Sequence, residues 1–232
     1  MMTLRSAQDR GLTQNNWLTS YHSFSFSRYI DRRYMGFRSL RVINEDWIAA
    51  NSGFPTHPHD NMEIITYVIE GDLAHRDSMG NVETIHQGEI QAMSAGRGIT
   101  HSEFNPSTQQ QTHLYQIWLL PQQQQLQPSY QQISYHQGQE GELTRLADAE
   151  GGEGRVKINQ DARLYRACLA KHQQLHYPIA QQRGVWLQCV RGELQINKQL
   201  KMQTGDGLAV EEEAGLQIQA TQASEFLLFD LA

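Results

Sequence analysis

Short runs of alternating apolar and polar residues, separated by turn-forming residues, fill most of this chain, and helical periodicity is almost absent. In the first half the alternation predicts strands over 39–43, 47–50, 64–70, 72–77, 82–86, 89–93 and 113–120. In the second half it predicts strands over 163–169, 185–191, 193–196, 200–202, 207–210, 216–220 and 225–230. Residues 1–36 break the rhythm: Trp17, Tyr21, Phe24, Phe26 and Tyr29 are irregularly spaced, as in a segment that packs across a barrel or plugs its end. His22, set among these aromatics, reads as a hydrogen-bonded structural histidine. After Pro121 a polar, glutamine-rich stretch begins at Gln122–Gln125 and continues through Gly138, Gly141, Gly151 and Gly152. It predicts a linker over 126–160, with a short helix over 143–149, between a barrel at 1–125 and a second barrel at 161–232.

The two halves read as copies of one another. Val68-Ile69-Glu70-Gly71-Asp72-Leu73 aligns with Cys189-Val190-Arg191-Gly192-Glu193-Leu194, and Gly88-Glu89-Ile90-Gln91-Ala92-Met93 with Gly205-Asp206-Gly207-Leu208-Ala209-Val210. The hairpin between the paired glycines is shorter in the second copy. An internal duplication of one antiparallel barrel accounts for this pattern.

The residues with chemistry flank one stretch of the first copy, from Gly53 to Asn105. His57-Pro58-His59 and then Glu63 stand at one end, and Gly96-Arg97-Gly98, His101 and Glu103 at the other. In strands, residues two apart share a face, so His57 and His59 project together, as do His101 and Glu103. The intervening turn signals bring the two ends back to one place. Three imidazoles and a carboxylate suit Fe(II), Mn(II), Ni(II), Cu(II) or Zn(II), and lack the thiolates of closed structural zinc. Four polar residues satisfying one another is the plainer reading, but it leaves too many titratable groups buried. Pro58 fits an edge or bulged position, and the glycines around Arg97 allow a sharp bend before His101. Glu63 shares the parity of His57 and His59; it is either a fourth ligand in place of Glu103 or a residue that orients a histidine. Counting from the paired glycines places Pro178, Ala180, Ile218 and Ala220 at the matching positions of the second copy, and none can hold a metal. His75, His86, His113, His136, His172 and His176 have no paired spacing and read as surface or turn residues.

Composition narrows the class further. The chain has 232 residues and a formal net charge of −6, which provides no basic footprint for nucleic acid. No apolar run approaches the roughly 20 residues that span a bilayer, and the first residues lack the apolar core of a secretion signal. A cytoplasmic protein is expected, with Cys168 and Cys189 as buried free thiols.

The pattern Gly53…His57, His59, Glu63…Gly71 followed by Gly88…Gly98, His101, Asn105 resembles the two cupin motifs. The blocks His22-Ser23-Phe24-Ser25-Phe26, Met35-Gly36-Phe37 with Leu40-Arg41-Val42, and Met93-Ser94-Ala95-Gly96-Arg97-Gly98-Ile99 are similar to those of the pirin family in particular. Ser94, standing where cupins in general have proline, is a departure that pirins share. The resemblance implies an all-β bicupin of two tandem jelly-roll barrels with a metal in the first only. Its implied ligands are His57, His59, His101 and Glu103, with Glu63 close to the ion but unbound, and Fe(II) the first metal among those named. It also implies quercetin 2,3-dioxygenase activity: a flavonol opened with dioxygen, carbon monoxide released, and Glu103 or Glu63 taking the substrate's hydroxyl proton. The alternative it implies is a non-catalytic metal-binding regulator acting through protein partners. A monomer is expected in either case.

Overall fold

The computed structural model describes residues 1–135 and 140–232; His136 and Gly138, read above as a surface histidine and part of the linker, lie outside them. Among the described residues the chain is built of β-strands, and its only helical turn is the 3₁₀ segment Ala7–Asp9. It divides into two compact units. One holds Gly11–Tyr135 and Ala149–Gln160; the other holds the described residues of Met1–Arg10, His136–Asp148 and Asp161–Ala232.

In the first unit, the N-terminal barrel, the larger sheet runs in the order Ser129–Ser134, Glu89–Ser94, Glu63–Glu70, Thr112–Leu119, Leu40–Ile48, Leu18–His22, Gly11–Gln14. The smaller sheet runs Gly53–His59, Ile99–Phe104, Asp72–Asp77, Val82–His86. The β-branched run of Glu63–Glu70 makes a central strand, as its side chains pack well on a pleated surface. Leu18, Ile48, Val68 and Leu114 from the larger sheet meet Leu73 and Ile85 from the smaller one in an apolar core, closed by Trp17 and Phe54. Gly71 (φ 76°) and Gly88 (φ 90°) occupy the left-handed region at the hairpin turns, where a side chain would be strained.

The second unit, the C-terminal barrel, repeats this order. Its larger sheet contains Met2–Arg5, Gly207–Val210, Gly184–Arg191, Ser224–Leu231, Ala162–Leu169 and Thr144–Asp148, and its smaller sheet Gln174–Pro178, Gly215–Ala220, Glu193–Ile196, Leu200–Gln203. Gly192 (φ 85°) and Gly205 (φ 86°) stand where Gly71 and Gly88 do. The strand register corrects the positions obtained by counting. Ile196 lies as far past Gly192 as His75 does past Gly71, and it pairs with Ile218 as His75 pairs with Glu103. Leu216 then matches His101, and Tyr177, opposite Leu216, matches His57, opposite His101. Ile179, two residues on, matches His59. The counted positions missed because the connections between the anchoring glycines and these strands differ in length. Tyr177, Ile179, Leu216 and Ile218 all belong to the apolar core of this barrel, so the second copy fills with hydrocarbon the place where the first gathers imidazoles.

Several expectations change. The lead-in is no plug: Gly11–Gln14 and Leu18–His22 extend the larger sheet of the N-terminal barrel, and Met2–Arg5 pairs with Gly207–Val210 in the other unit. The expected break between 43 and 47 is absent, because Asn44, Glu45 and Asp46 are buried strand residues within Leu40–Ile48. The stretch 126–160 is not a bare linker, since it carries the strands Ser129–Ser134, Thr144–Asp148 and Val156–Lys157. The expected helix over 143–149 is a strand in which Leu146 and Ala147 are buried and pairing with Ala162–Leu169 takes up the backbone hydrogen bonds.

Gly53 begins the strand that carries His57 and His59, and a Cβ there would come 2.1 Å from the carbonyl oxygen of Glu103. Gly53→Ala is therefore expected to push the two strands apart and cost about 1–3 kcal/mol, measured by urea denaturation.

Candidate metal centre

The central strand of the smaller sheet, Ile99–Phe104, organises the site. On one side it pairs with Gly53–His59, placing His101 opposite His57 and Ile99 opposite His59. On the other it pairs with Asp72–Asp77, placing His101 opposite Asp77 and Glu103 opposite His75. Gly53–His59 is an edge strand, which explains how Pro55 and Pro58 can lie within it: neither donor is needed on the open side. Gly96 (φ 47°) and Gly98 (φ 136°) bend the chain before His101, and at Gly96 a Cβ would lie 2.1 Å from the Leu126 carbonyl oxygen. Asn105 closes the far end by donating from Nδ2 to the carbonyls of Ile48 and Gln110.

The rings of His57, His59 and His101 converge, with centroids 4.8 Å apart for His57–His59, 4.5 Å for His57–His101 and 4.8 Å for His59–His101. One nitrogen from each lies within 4.8 Å of the others. His57 Nδ1 donates to the Pro55 carbonyl at 2.8 Å, leaving Nε2 as the ring's other nitrogen. Both nitrogens of His101 are buried without a hydrogen-bond partner. A structural histidine would have found one, whereas imidazoles aimed at a cation would not, so these residues fit a metal ion. Glu103 is buried, and its carboxylate is held by Gln116, whose Nε2 donates to both oxygens at 3.1 and 3.2 Å.

Electrostatics favour the ligand form of the rings. Burial, and then the neighbouring imidazoles, lower the pKa of His59 to about 4 and that of His101 to about 3, so both are neutral near pH 7. Asp46 moves the other way: burial pushes its pKa up to about 7 against a hydrogen bond from Ser20, with Glu103 and Glu45 adding to the rise.

The histidines open onto a cavity of about 370 Å³. Leu18, Phe26, Phe54 and Trp118 supply its apolar lining, and Ser20, His22, Asn44, Asp46 and Gln116 its polar lining. His22 is hydrogen-bonded, through Nε2 to Thr13 (2.9 Å) and Nδ1 to Asn44 (2.8 Å), yet it also faces this cavity.

Glu63 stands apart from the cluster. The chain turns between His59 and Glu63, which lie in different sheets, so the shared parity does not carry across. The carboxylate accepts from Ser94 Oγ (2.7 Å), the Asn159 backbone N–H (3.0 Å) and Asn159 Nδ2 (3.3 Å), and it does not line the cavity. It is expected above as a ligand, an orienting residue or a base, and the structure holds it with Ser94 and Asn159, outside the clustered donors. Ser94, the departure from the general cupin pattern, is its partner.

His75 was misplaced by spacing alone: it is 1% exposed, and its ligand atom lies within 4.8 Å of those of His101 and Glu103. The signal was its parity with Leu73 in the strand Asp72–Asp77, whose alternate positions are buried. Asp46 was missed because the polar run Asn44, Glu45 and Asp46 reads as a break between strands, and Gln116 because it is a single polar residue in an apolar strand. His86, His172 and His176 are exposed, as expected, whereas His113 is largely covered and bonds Glu45 at 3.0 Å.

Two tandem β-barrels of jelly-roll type, with a three-histidine cluster in the first and hydrocarbon at the matching positions of the second, define a bicupin. The pirin family model matches residues 4–119, and a model described as a quercetinase C-terminal cupin domain matches 146–231. An Escherichia coli K12 protein named quercetin 2,3-dioxygenase is 48% identical over 231 residues, covering 100% of this chain and 99% of that one. The crystal structure of YhhW from Escherichia coli superposes with a TM-score of 0.97 at 47% identity, covering 100% and 98% of the two chains. A structure of bacterial pirin YhhW from Escherichia coli in complex with nickel(II) has a TM-score of 0.95 at 46% identity, covering 100% and 99%. The chain belongs to the pirin family.

The two lowered histidines set a pH dependence. Unfolded imidazoles titrate near 6.5, so the metal-free fold has its full stability above that pH and loses it as the pH falls toward 4. Asp46 opposes this: its contribution is present below 3.8 and is lost as the pH rises through 7. Two imidazoles outweigh one carboxyl. The urea midpoint of metal-free protein is expected to fall between about pH 6.5 and 4, and Asp46→Asn should steepen the fall.

Proposed function

We propose that this protein is a metal-dependent dioxygenase that opens flavonols such as quercetin with dioxygen and releases carbon monoxide. The observation that carries the reading is the convergence of His57, His59 and His101, two of them held neutral by burial, at a cavity lined by both apolar and polar side chains. The names of the relatives support the substrate class. His57, His59, His101 and Glu103 would hold the ion. Their N₃O set suits Fe(II), Mn(II), Ni(II), Cu(II) or Zn(II), and nickel(II) in the YhhW complex supports a divalent ion. When bound, such an ion supplies Lewis acidity and a template for a substrate hydroxyl.

The protein side chains divide the remaining work. Leu18, Phe26, Phe54 and Trp118 receive a flat aromatic body and keep water from it. The proton of the substrate's enolic hydroxyl goes to Asp46 Oδ1, a buried oxygen with no hydrogen-bond partner on a carboxyl whose pKa burial raises to about 7. Glu103 is less suited to that step than the sequence implied, because it would already hold the ion, with Gln116 Nε2 donating to both of its oxygens. Gln116 in turn keeps Glu103 turned to the site.

Protein reconstituted in air with Fe, Mn, Ni or Cu is expected to deplete flavonol absorbance and evolve carbon monoxide with at least one metal. His101→Ala should abolish both metal uptake and turnover, and Asp46→Asn should lower turnover by about 10²–10⁴-fold while metal is retained. Absence of flavonol loss with every metal would refute the reading.

A further inference from the structure

Beside the metal cavity lies a second one, of about 470 Å³, and the two share Phe26, Ser27 and Trp118 in their linings. Phe26 and Trp118 meet edge to face with ring centroids 5.4 Å apart, and Trp118 stands edge to face with His59 at 4.8 Å. Phe26 is held by a tight turn in which it exchanges both backbone hydrogen bonds with Tyr29, at 3.0 and 2.9 Å. This aromatic pair therefore borders both cavities.

Tyr29, Ile30, Met35, Val42 and Met62 keep the rest of the second lining largely apolar, and Ile30 and Met35 carry it to the surface. Among the described residues that line it, Arg41 bears the only charge. One guanidinium nitrogen, Nη1, donates to the Ser25 carbonyl at 2.9 Å, and no described carboxylate pairs with the group. Most of its N–H fork is left for a ligand. Such a fork in an apolar lining suits a carboxylate, which it can grip with two parallel hydrogen bonds. Trp118 offers one more donor, because its Nε1 is buried with no hydrogen-bond partner.

The activity proposed above creates a ligand of this kind. Opening a flavonol with dioxygen breaks both ring carbon–carbon bonds of the enolic carbon, which leaves with its own oxygen as carbon monoxide. Each of its two former neighbours gains one atom of dioxygen, so that one becomes an ester carbonyl and the other a carboxylate. Dioxygen is reduced, the ring carbons are oxidised, and the hydroxyl proton is left over for solvent. The product thus carries a carboxylate that the substrate lacks.

We propose that the second cavity is a product subsite, in which Arg41 receives the carboxylate of the ring-opened aromatic acid as it leaves the metal cavity past Phe26 and Trp118. The proposal rests on the dioxygenase reading. It gives Arg41 a part in holding the product and none in opening the ring.

The test titrates the whole chain, loaded with Ni(II), with the acid formed on opening quercetin and with the methyl ester of that acid, followed by calorimetry. Wild type is expected to bind the acid roughly tenfold more tightly than the ester, and Arg41→Gln to lose most of that preference with the ester's affinity unchanged. Met35→Glu sets a carboxylate on an exposed position of the same lining and should also remove the preference. That variant decides the matter if Arg41→Gln does not fold by circular dichroism. No preference in wild type, or one of the same size in both variants, would overturn the proposal. Flavonol depletion in air, measured on the same samples, separates the two readings. Turnover without an Arg41-dependent preference overturns the subsite alone, and the preference without turnover overturns the dioxygenase reading while the carboxylate site stands.

Discussion

The antiparallel pairing of Gly53–His59 with Ile99–Phe104 is the constraint on which the site depends. It sets His57 opposite His101, and the pleat places His59 on the same face two residues along. Because Ile99–Phe104 is held on its other side by Asp72–Asp77, the rings cannot separate without breaking a sheet. Burial does the rest for two of them: the rings of His59 and His101, which would be protonated in water at mildly acid pH, stay neutral here and keep their lone pairs.

The duplicated barrel shows what the same frame does without that chemistry. At the matching positions Tyr177, Ile179, Leu216 and Ile218 pack into one apolar core, and the C-terminal barrel gains ordinary hydrophobic stability. The N-terminal barrel gives up hydrocarbon for buried polar groups that protein partners do not satisfy, among them both ring nitrogens of His101, Nδ1 of His75 and one oxygen each of Asp46 and Gln116. Such groups are tolerated where they act on something other than the protein. The contrast between two copies of one fold locates the functional half.

Much of this was legible in the chain. Period-two alternation marked most strands, and the paired glycines Gly71/Gly192 and Gly88/Gly205 marked the repeat because each stands at a turn with positive φ. His57, His59 and His101 were legible through parity within a strand. Parity failed across the turn from His59 to Glu63, where the chain passes from one sheet to the other. His75 had only its parity with Leu73 to mark it, and Asp46 and Gln116 had no paired spacing, so their importance appears only once their burial is known. The strand Met2–Arg5 was hidden because its partner, Gly207–Val210, lies at the far end of the chain.

The pirin assignment and the apolar filling of the second barrel meet in one claim: a single ion, held in the first barrel by imidazoles. Anomalous diffraction at the absorption edge of the metal carried by the purified protein tests it most directly. One peak among His57, His59 and His101, with none beside Tyr177 and Leu216, is the expected result. A peak in the C-terminal barrel, or none among the three rings in metal-loaded crystals, would contradict it.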